Sequence, residues 1–496
     1  MKKLIPILLI ICLLLPSCQL KKVQTEDYIF TTVAETTEES ATFVFEETTD
    51  ITFSEKFNET ASAVLNTLSS ATSTQAKTTK AYTTATKPYI TTTKIHTVPS
   101  TAKTTTANSA STKPATTAKV TTVPETNAPE SSAELRGIWI SCYDYTSAAG
   151  KTRTEYKAVT DAMFKNIKDL GLNTAFVHLR AFSDAFYKSE IYPYSAMIAG
   201  KEGADLTFDP FEVLLESAEK HGISVHGWIN PFRVSTKNDT SLLSSKNPAK
   251  AIIDAGNKNG EICILANGIY YNPSHTENHK RIIDGVREIV SKYDIDGIHI
   301  DDYFYPSTEE KIDKTQYSQY KAEGGTLSLS EWRNANVNSF VSALYSAVKS
   351  YNSNLTVSIS PAGNLEENYT KHYADVKLWL SSKGYADLII PQIYFGFEHQ
   401  TLGFEKLLRQ WSNLPRNSSV KLACGFAAYK CNTADNYAGT GKKEWQQNTD
   451  ILSRQLNSVR NNQSYSGFAV FSYKDLTRTS CKTEIANLKD TLNTGK

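Results

Sequence analysis

Beyond Glu134 the chain alternates short apolar runs with stretches that are apolar on one face only, a strand-helix rhythm that points to parallel β structure. Eight such units can be counted. The predicted strands are Leu135 to Ser141, Asn173 to Arg180, Ile223 to Asn230, Ile295 to Asp302, Leu355 to Pro361, Asp387 to Tyr394, Val420 to Phe426 and Gly467 to Tyr473. The predicted helices are Thr154 to Leu170, Pro210 to His221, Asn278 to Lys292, Ser330 to Ser350, His372 to Lys383, Phe404 to Ser412, Glu444 to Arg460 and Thr483 to Leu492. Gly171 and Gly222 sit just past helix ends, and Asp209 followed by Pro210 makes an N-cap and first-turn pair. No Gly-rich phosphate loop follows the first strand, where Ser141, Cys142, Tyr143 and Asp144 stand. An α/β fold of the closed (β/α)8 TIM-barrel type is therefore expected rather than an open doubly wound sheet.

Alternation within the strands sorts the side chains, because a barrel's outer face packs against helices and must be apolar. In the second strand Val177 and Leu179 oppose His178 and Arg180. In the third, Val225 and Ile229 oppose His226, Trp228 and Asn230. In the fourth, Ile298 and Ile300 oppose His299, Asp301 and Tyr303, while Ser358 and Ser360 alternate with Val357 and Ile359 in the fifth. Gln392 and Tyr394 end the sixth. The polar set should point inward and converge on the C-terminal mouth, where barrel enzymes carry their chemistry.

Composition divides the chain before this domain. Lys2 and Lys3 precede an apolar run from Leu4 to Leu15 that is too short for a permanent span and reads as a signal peptide. Leu15, Pro16, Ser17 and Cys18 resemble a bacterial lipobox, with Cys18 as the lipidated residue. An extracytoplasmic, lipid-anchored protein is expected. Thr, Ser, Ala, Lys and Pro then dominate, as in Thr91, Thr92, Thr93 and Thr104, Thr105, Thr106. Such a segment cannot bury enough apolar surface to offset its ordering entropy, so a disordered stalk is expected. About a hundred coil residues would span on the order of 50 to 60 Å. The division is thus residues 1–18 for signal and lipobox, 19–131 for linker and 132–496 for barrel. A formal net charge of +1 and the absence of a basic stripe argue against nucleic acid as partner. The cysteines Cys142, Cys263, Cys424, Cys431 and Cys481 match no metal knuckle, and their spacing allows a Cys424 to Cys431 bridge without predicting one.

A mouth lined by Arg180, Trp228, Asn230, Asp301, Tyr303, Gln392 and Tyr394 combines aromatic faces with neutral hydrogen-bonding groups around few charges. That suits a sugar, whose ring offers apolar C–H faces and a rim of hydroxyls. Asp301 is the candidate catalytic carboxylate, and Asp302, on the opposite parity, a candidate companion. Asp184, Glu366, Glu367 and Glu398 fall in loops after strands and are further candidates for the partner. Asp184, His226 and His299 join the candidate substrate-binding set. No cofactor is required for this chemistry.

Five segments carry a resemblance to a known family: Leu135 to Trp139, the run RAFSDAFY from Arg180, WINPFRV from Trp228, DGIHIDDYFYP from Asp296 and PQIY from Pro391. Together they resemble the glycosyl-hydrolase-like family ten domain, formerly domain of unknown function 187. The resemblance implies a bacterial envelope glycoside hydrolase, with peptidoglycan glycan strands stripped of peptides as substrate. It does not name the second carboxylate. Asp296, Gly297, His299, Asp301 and Tyr303 are also similar to the DGxDxDxE strand of chitinase-type barrels. His299 replaces the first inner Asp there, and Tyr303 the catalytic Glu.

Two rival readings follow from the same residues. His178, His226 and His299 beside Asp301 would suit a metal-dependent amidase or deacetylase. A non-catalytic glycan-binding wall lipoprotein would keep the same mouth without turnover.

Overall fold

The computed structural model describes residues 134–494, together with three short strands nearer the start of the chain. Those strands, Val23–Thr25, Tyr28–Thr32 and Phe43–Glu46, pair antiparallel in that order. They lie within residues 19–131, the stretch expected to be linker. The lipobox with Cys18 and the Thr-rich run lie outside the described residues.

The domain from Glu134 is a closed (β/α)8 barrel. Its strands are Leu135–Ile140, Thr174–Arg180, Ser224–Ile229, Gly297–Ile300, Thr356–Ile359, Leu388–Ile389, a seventh in two segments, Lys421–Leu422 and Cys424–Ala427, and Gly467–Phe471. All neighbours pair in parallel, in chain order. The seventh strand closes the ring: Lys421–Leu422 pairs with the sixth and Cys424–Ala427 with the eighth. Helices Arg153–Leu170, Pro210–His221, Thr276–Lys292, Leu329–Tyr351, Val376–Ser381, Phe404–Ser412, Ile451–Arg460 and Lys482–Thr494 follow the eight strands in turn.

Local signals explain the helix ends. Thr152 with Glu155 and Ser328 with Glu331 form capping boxes, each closing two otherwise open backbone N–H groups. Gly171 at φ 92° and Gly222 at φ 61° end two helices in the left-handed region. Asp209 accepts from the Phe211 N–H ahead of a helix that opens on Pro210.

The strands separate two apolar regions. Outward residues such as Val177, Leu179, Val225, Ile298, Ile300, Val357 and Ile359 are buried under the helices. Inside the ring lie Trp139, Phe176, Trp228, Leu388, Ile390, Ala423 and Ala469. Gly297 makes room in this lumen, since a Cβ there would meet the Thr356 carbonyl at 2.3 Å and the His226 ring at 2.9 Å.

Between the third strand and its helix the chain inserts a small antiparallel sheet that alternation did not predict. Its strands are Arg233–Ser235, Gly268–Tyr271 and Ile262–Leu265, in that spatial order. The five cysteines of the domain are free and buried. No Cys424 to Cys431 bridge forms, and the neighbouring thiol of Cys431 is Cys481.

Candidate active site

The lumen is built in tiers. Deepest, the Trp139 indole N–H donates to His299 Nε2 at 3.0 Å. An indole can only donate, so that nitrogen is unprotonated, and His299 Nδ1 carries the proton toward Ser358 Oγ at 2.8 Å. The Ser360 hydroxyl lies 3.1 Å from the same Nε2. Burial holds His299 neutral, its pKa well below the ordinary histidine value, and pushes His226 down to about 4. His226 meets Ser358 Oγ at 3.4 Å. Both imidazoles thus lie beneath the mouth and hydrogen-bond to barrel-core groups.

One tier higher, the His178 ring stacks on Trp228 with centroids 3.7 Å apart and planes 6° from parallel. His178 Nδ1 accepts from the Cys142 backbone N–H at 3.2 Å, which leaves the proton on Nε2. That Nε2 has no partner among the described residues. Trp228 in turn donates its indole N–H to Asp301 Oδ2 at 3.1 Å. The Tyr303 backbone N–H donates to Asp301 Oδ1 at 3.3 Å.

Asp301 lies where the fourth strand ends, 4% exposed. Burial and the neighbouring Asp302 charge push its pKa up to about 7, against the opposing pull of the two hydrogen bonds and Arg233. Asp302 Oδ1 accepts from Gln392 Nε2 at 3.1 Å, and the same amide nitrogen donates to the Ser360 carbonyl at 2.9 Å. Tyr394 packs beside the pair, against Trp139 and Phe471, with its phenol held well above the ordinary tyrosine pKa by burial and nearby charge. The result is two adjacent carboxylates, one of them, Asp301, titrating near neutrality, under an aromatic wall. Proton donation at an oxygen bound in the mouth is the chemistry this arrangement supports.

The sequence comparison adds the class of reaction. Residues 134–445 match the family described as Glycosyl hydrolase-like 10. The chain belongs to that family. It is similar to the glycosyl hydrolase YngK of Bacillus subtilis (strain 168), 32% identical over 384 residues that cover 73% of this chain and 71% of the relative. The glycosyl hydrolase DigH of Escherichia coli (strain K12) is 27% identical over 333 residues, 60% of this chain and 74% of the relative. Among solved structures, the catalytic domain of a β-amylase from Paenibacillus polymyxa aligns at TM-score 0.46 and 10% identity over 73% of this chain and 99% of that one. An endo-1,4-β-mannanase from Rhizomucor miehei aligns at 0.44 and 12% identity, over 74% and 97%. As a member of the glycosyl hydrolase-like 10 family, the chain is a glycoside hydrolase.

Several expected residues of this glycosyl hydrolase-like 10 domain sit away from the mouth. Arg180 was expected to face inward, but a bulge shifts the register between His178 and Arg180 and turns it out of the lumen. Its guanidinium donates to the Asn230 and Pro231 carbonyls at 2.7 and 3.0 Å and stacks over Tyr192 and Tyr271. Asn230 is fully buried past the end of its strand, where Oδ1 accepts from the Arg233 N–H at 3.4 Å. It shapes a turn. Tyr303 is half exposed at the rim, because the strand ends at Ile300 and alternation no longer governs it.

Asp184 is buried in the loop after the second strand, with the Ser195 hydroxyl as donor and one carboxylate oxygen lacking a partner among the described residues. Burial pushes its pKa up to about 6. Among the described residues its hydrogen bonds run to its own loop, not to Asp301. Glu366 and Glu398 are exposed, and Glu367 pairs with Lys371 at 2.6 Å on a surface helix turn. None of these three joins the pair at the mouth.

Two residues absent from the expected set matter here. Glu444 is a buried carboxylate that accepts from the Phe397 and Glu398 N–H groups at 2.9 Å each and fixes the loop after the sixth strand. Arg233 is the second, held at the rim between Phe182 and Tyr303 with guanidinium-to-centroid distances of 5.3 and 4.8 Å. The metal alternative loses its donors: both His299 nitrogens and one each of His178 and His226 face protein partners. Among the described residues no group of three His, Cys, Asp or Glu is arranged to hold a metal ion.

Proposed function

We propose that this glycosidase cleaves peptidoglycan glycan strands from which the peptides have been removed, acting outside the cytoplasm from a lipid anchor on Cys18. Asp301 donates the proton to the glycosidic oxygen, and Asp302 is its partner carboxylate. The observation that carries the catalytic part is the burial of Asp301 at the strand end beside Asp302, which raises its pKa to about 7, the range that suits a general acid near neutral pH.

The neighbouring groups have matching roles. Trp228 orients the carboxyl, Gln392 orients Asp302, and the faces of Tyr394, Phe471 and Tyr303 receive sugar rings. The family resemblance supports the substrate class, and the lipobox-like sequence with its Thr-rich stalk supports the address.

The test is release of reducing ends from purified peptide-free glycan strands by the full chain. Release supports the reading. Strand binding without release would make the protein a glycan-binding module instead, and release only from some other β-linked glycan would overturn the substrate.

A further inference from the structure

Arg233 is the charged group at the mouth that biases the Asp301 charge from a distance but has no substrate contact assigned by the proposed acid chemistry. Three features fix it. The Asn230 side chain takes its backbone N–H, its strand Arg233–Ser235 pairs with Gly268–Tyr271, and its guanidinium lies between the Phe182 and Tyr303 rings. Phe182 comes from the loop after the second strand and Tyr303 from the loop after the fourth, so the clamp bridges two walls of the mouth.

What the guanidinium lacks is an acceptor. Among the described residues its side chain makes no hydrogen bond and no close ion pair; it has the two ring contacts and the longer-range attraction of Asp301 and nearby tyrosines. The comparable arginines are committed: Arg180 to two carbonyls, Arg333 to Asp313 and the Thr308 and Glu309 carbonyls. A partly buried guanidinium with its donors open and its plane held by aromatic faces is arranged for an acceptor from outside the protein, and a carboxylate fits it bidentately.

We infer that Arg233 receives a carboxylate carried by the sugar next to the scissile bond, making it a specificity-determining residue. This rests on the proposed substrate. In a peptide-free strand the lactyl ether of the muramic sugar ends in a free carboxylate. In a peptide-bearing strand the same carbon is a neutral amide followed by the stem peptide. Arg233 would therefore select stripped strands by charge and by space. A substrate carboxylate near Asp301 also disfavours ionisation of Asp301, which keeps the acid in its working form.

The experiment compares peptide-free strands with the same strands after their carboxylates are reduced to primary alcohols, using the full chain and reducing-end release. The wild type should prefer the acidic strands by about 10- to 100-fold in kcat/KM, the range for a hydrogen-bonded charge pair. Arg233→Met should lower kcat/KM on acidic strands by a similar factor and bring the ratio between the two substrates close to one. Arg233→Lys, which keeps the charge but not the fork, should retain part of the preference.

Equal rates of the wild type on both strands would overturn the inference while leaving the proposed substrate standing. An equal loss on both strands in Arg233→Met would also overturn it, since Arg233 would then act on the fold or on Asp301. Should Arg233→Met fail to fold, the wild-type ratio decides alone. A wild type inactive on peptide-free strands but active on another glycan would overturn the proposed substrate and this inference together.

Discussion

The indole nitrogen of Trp228 donates a 3.1 Å hydrogen bond to Oδ2 of Asp301, so the third strand holds the acid presented by the fourth. The opposite face of that indole is fixed by stacking on His178. Trp228→Phe keeps an aromatic ring but removes the donor. Because the bond favours the ionised carboxylate, its loss should push the Asp301 pKa further up. Loss of orientation should also lower kcat/KM about 10- to 100-fold. A pH–rate profile of the variant checks both; an unmoved alkaline limb would contradict the assignment.

The wild-type profile is itself constrained. An acid with a pKa of about 7 predicts that kcat/KM falls as pH rises through that value, in proportion to the protonated fraction of Asp301. Activity rising through pH 7 would instead make Asp301 a base.

Burial of Asp301 also has a stability cost with a definite sign. Its folded pKa of about 7 lies above the ordinary 3.8, so the folded state holds the proton longer than the unfolded state. Stability is therefore highest below about pH 4 for this group and is lost as pH rises from there through about 7. Asp301→Asn removes that dependence. The variant should exceed the wild type by a few kcal/mol at pH 8 and by less at pH 5, in denaturant titrations at the two values. The size of the effect comes from the depth at which Asp301 is buried.

The loop carrying Tyr303 is anchored by a fully buried ion pair, Arg333 with Asp313 at 2.6 Å. Arg333 also takes the Thr308 and Glu309 carbonyls and the Tyr373 hydroxyl. Arg333→Met leaves the Asp313 charge and these acceptors unpaired, and should cost about 3–5 kcal/mol in denaturant unfolding. A loss below about 1 kcal/mol would show that the loop is held by other contacts.

Glu366, Glu367 and Glu398 are surface carboxylates away from the pair. Each changed to Gln should leave kcat/KM within about twofold of wild type, as solvated charges do. A large loss at one of them would name it the partner in place of Asp302.

The strand-helix rhythm carried the fold because period two and period 3.6 both survive in the barrel, and Pro210–His221 and Phe404–Ser412 match their predicted bounds. Alternation also put Trp228, His299 and Asp301 on the inner face. It failed where the backbone leaves ideal geometry. The bulge at Arg180 rotates one residue with no mark in the sequence, and Tyr303 lies past the strand end, where alternation has no force. Pro391 lacks the N–H that a regular ladder needs, so the sixth strand stops at Ile389 and continues only through the Gln392 bridges. Arg233 escaped because its strand has three residues, too short to give a period, and its partner Gly268–Tyr271 lies over thirty residues on. The mouth was legible, but Arg233 at its rim was not.

The most direct test of Asp301 as the proton donor is the rate of reducing-end release from peptide-free strands by Asp301→Asn beside the wild type, with thermal unfolding measured on the same samples. The amide should lower kcat by about 10²- to 10⁴-fold in a protein at least as stable as the wild type. A folded variant that keeps its activity within tenfold of wild type would contradict the role assigned to Asp301.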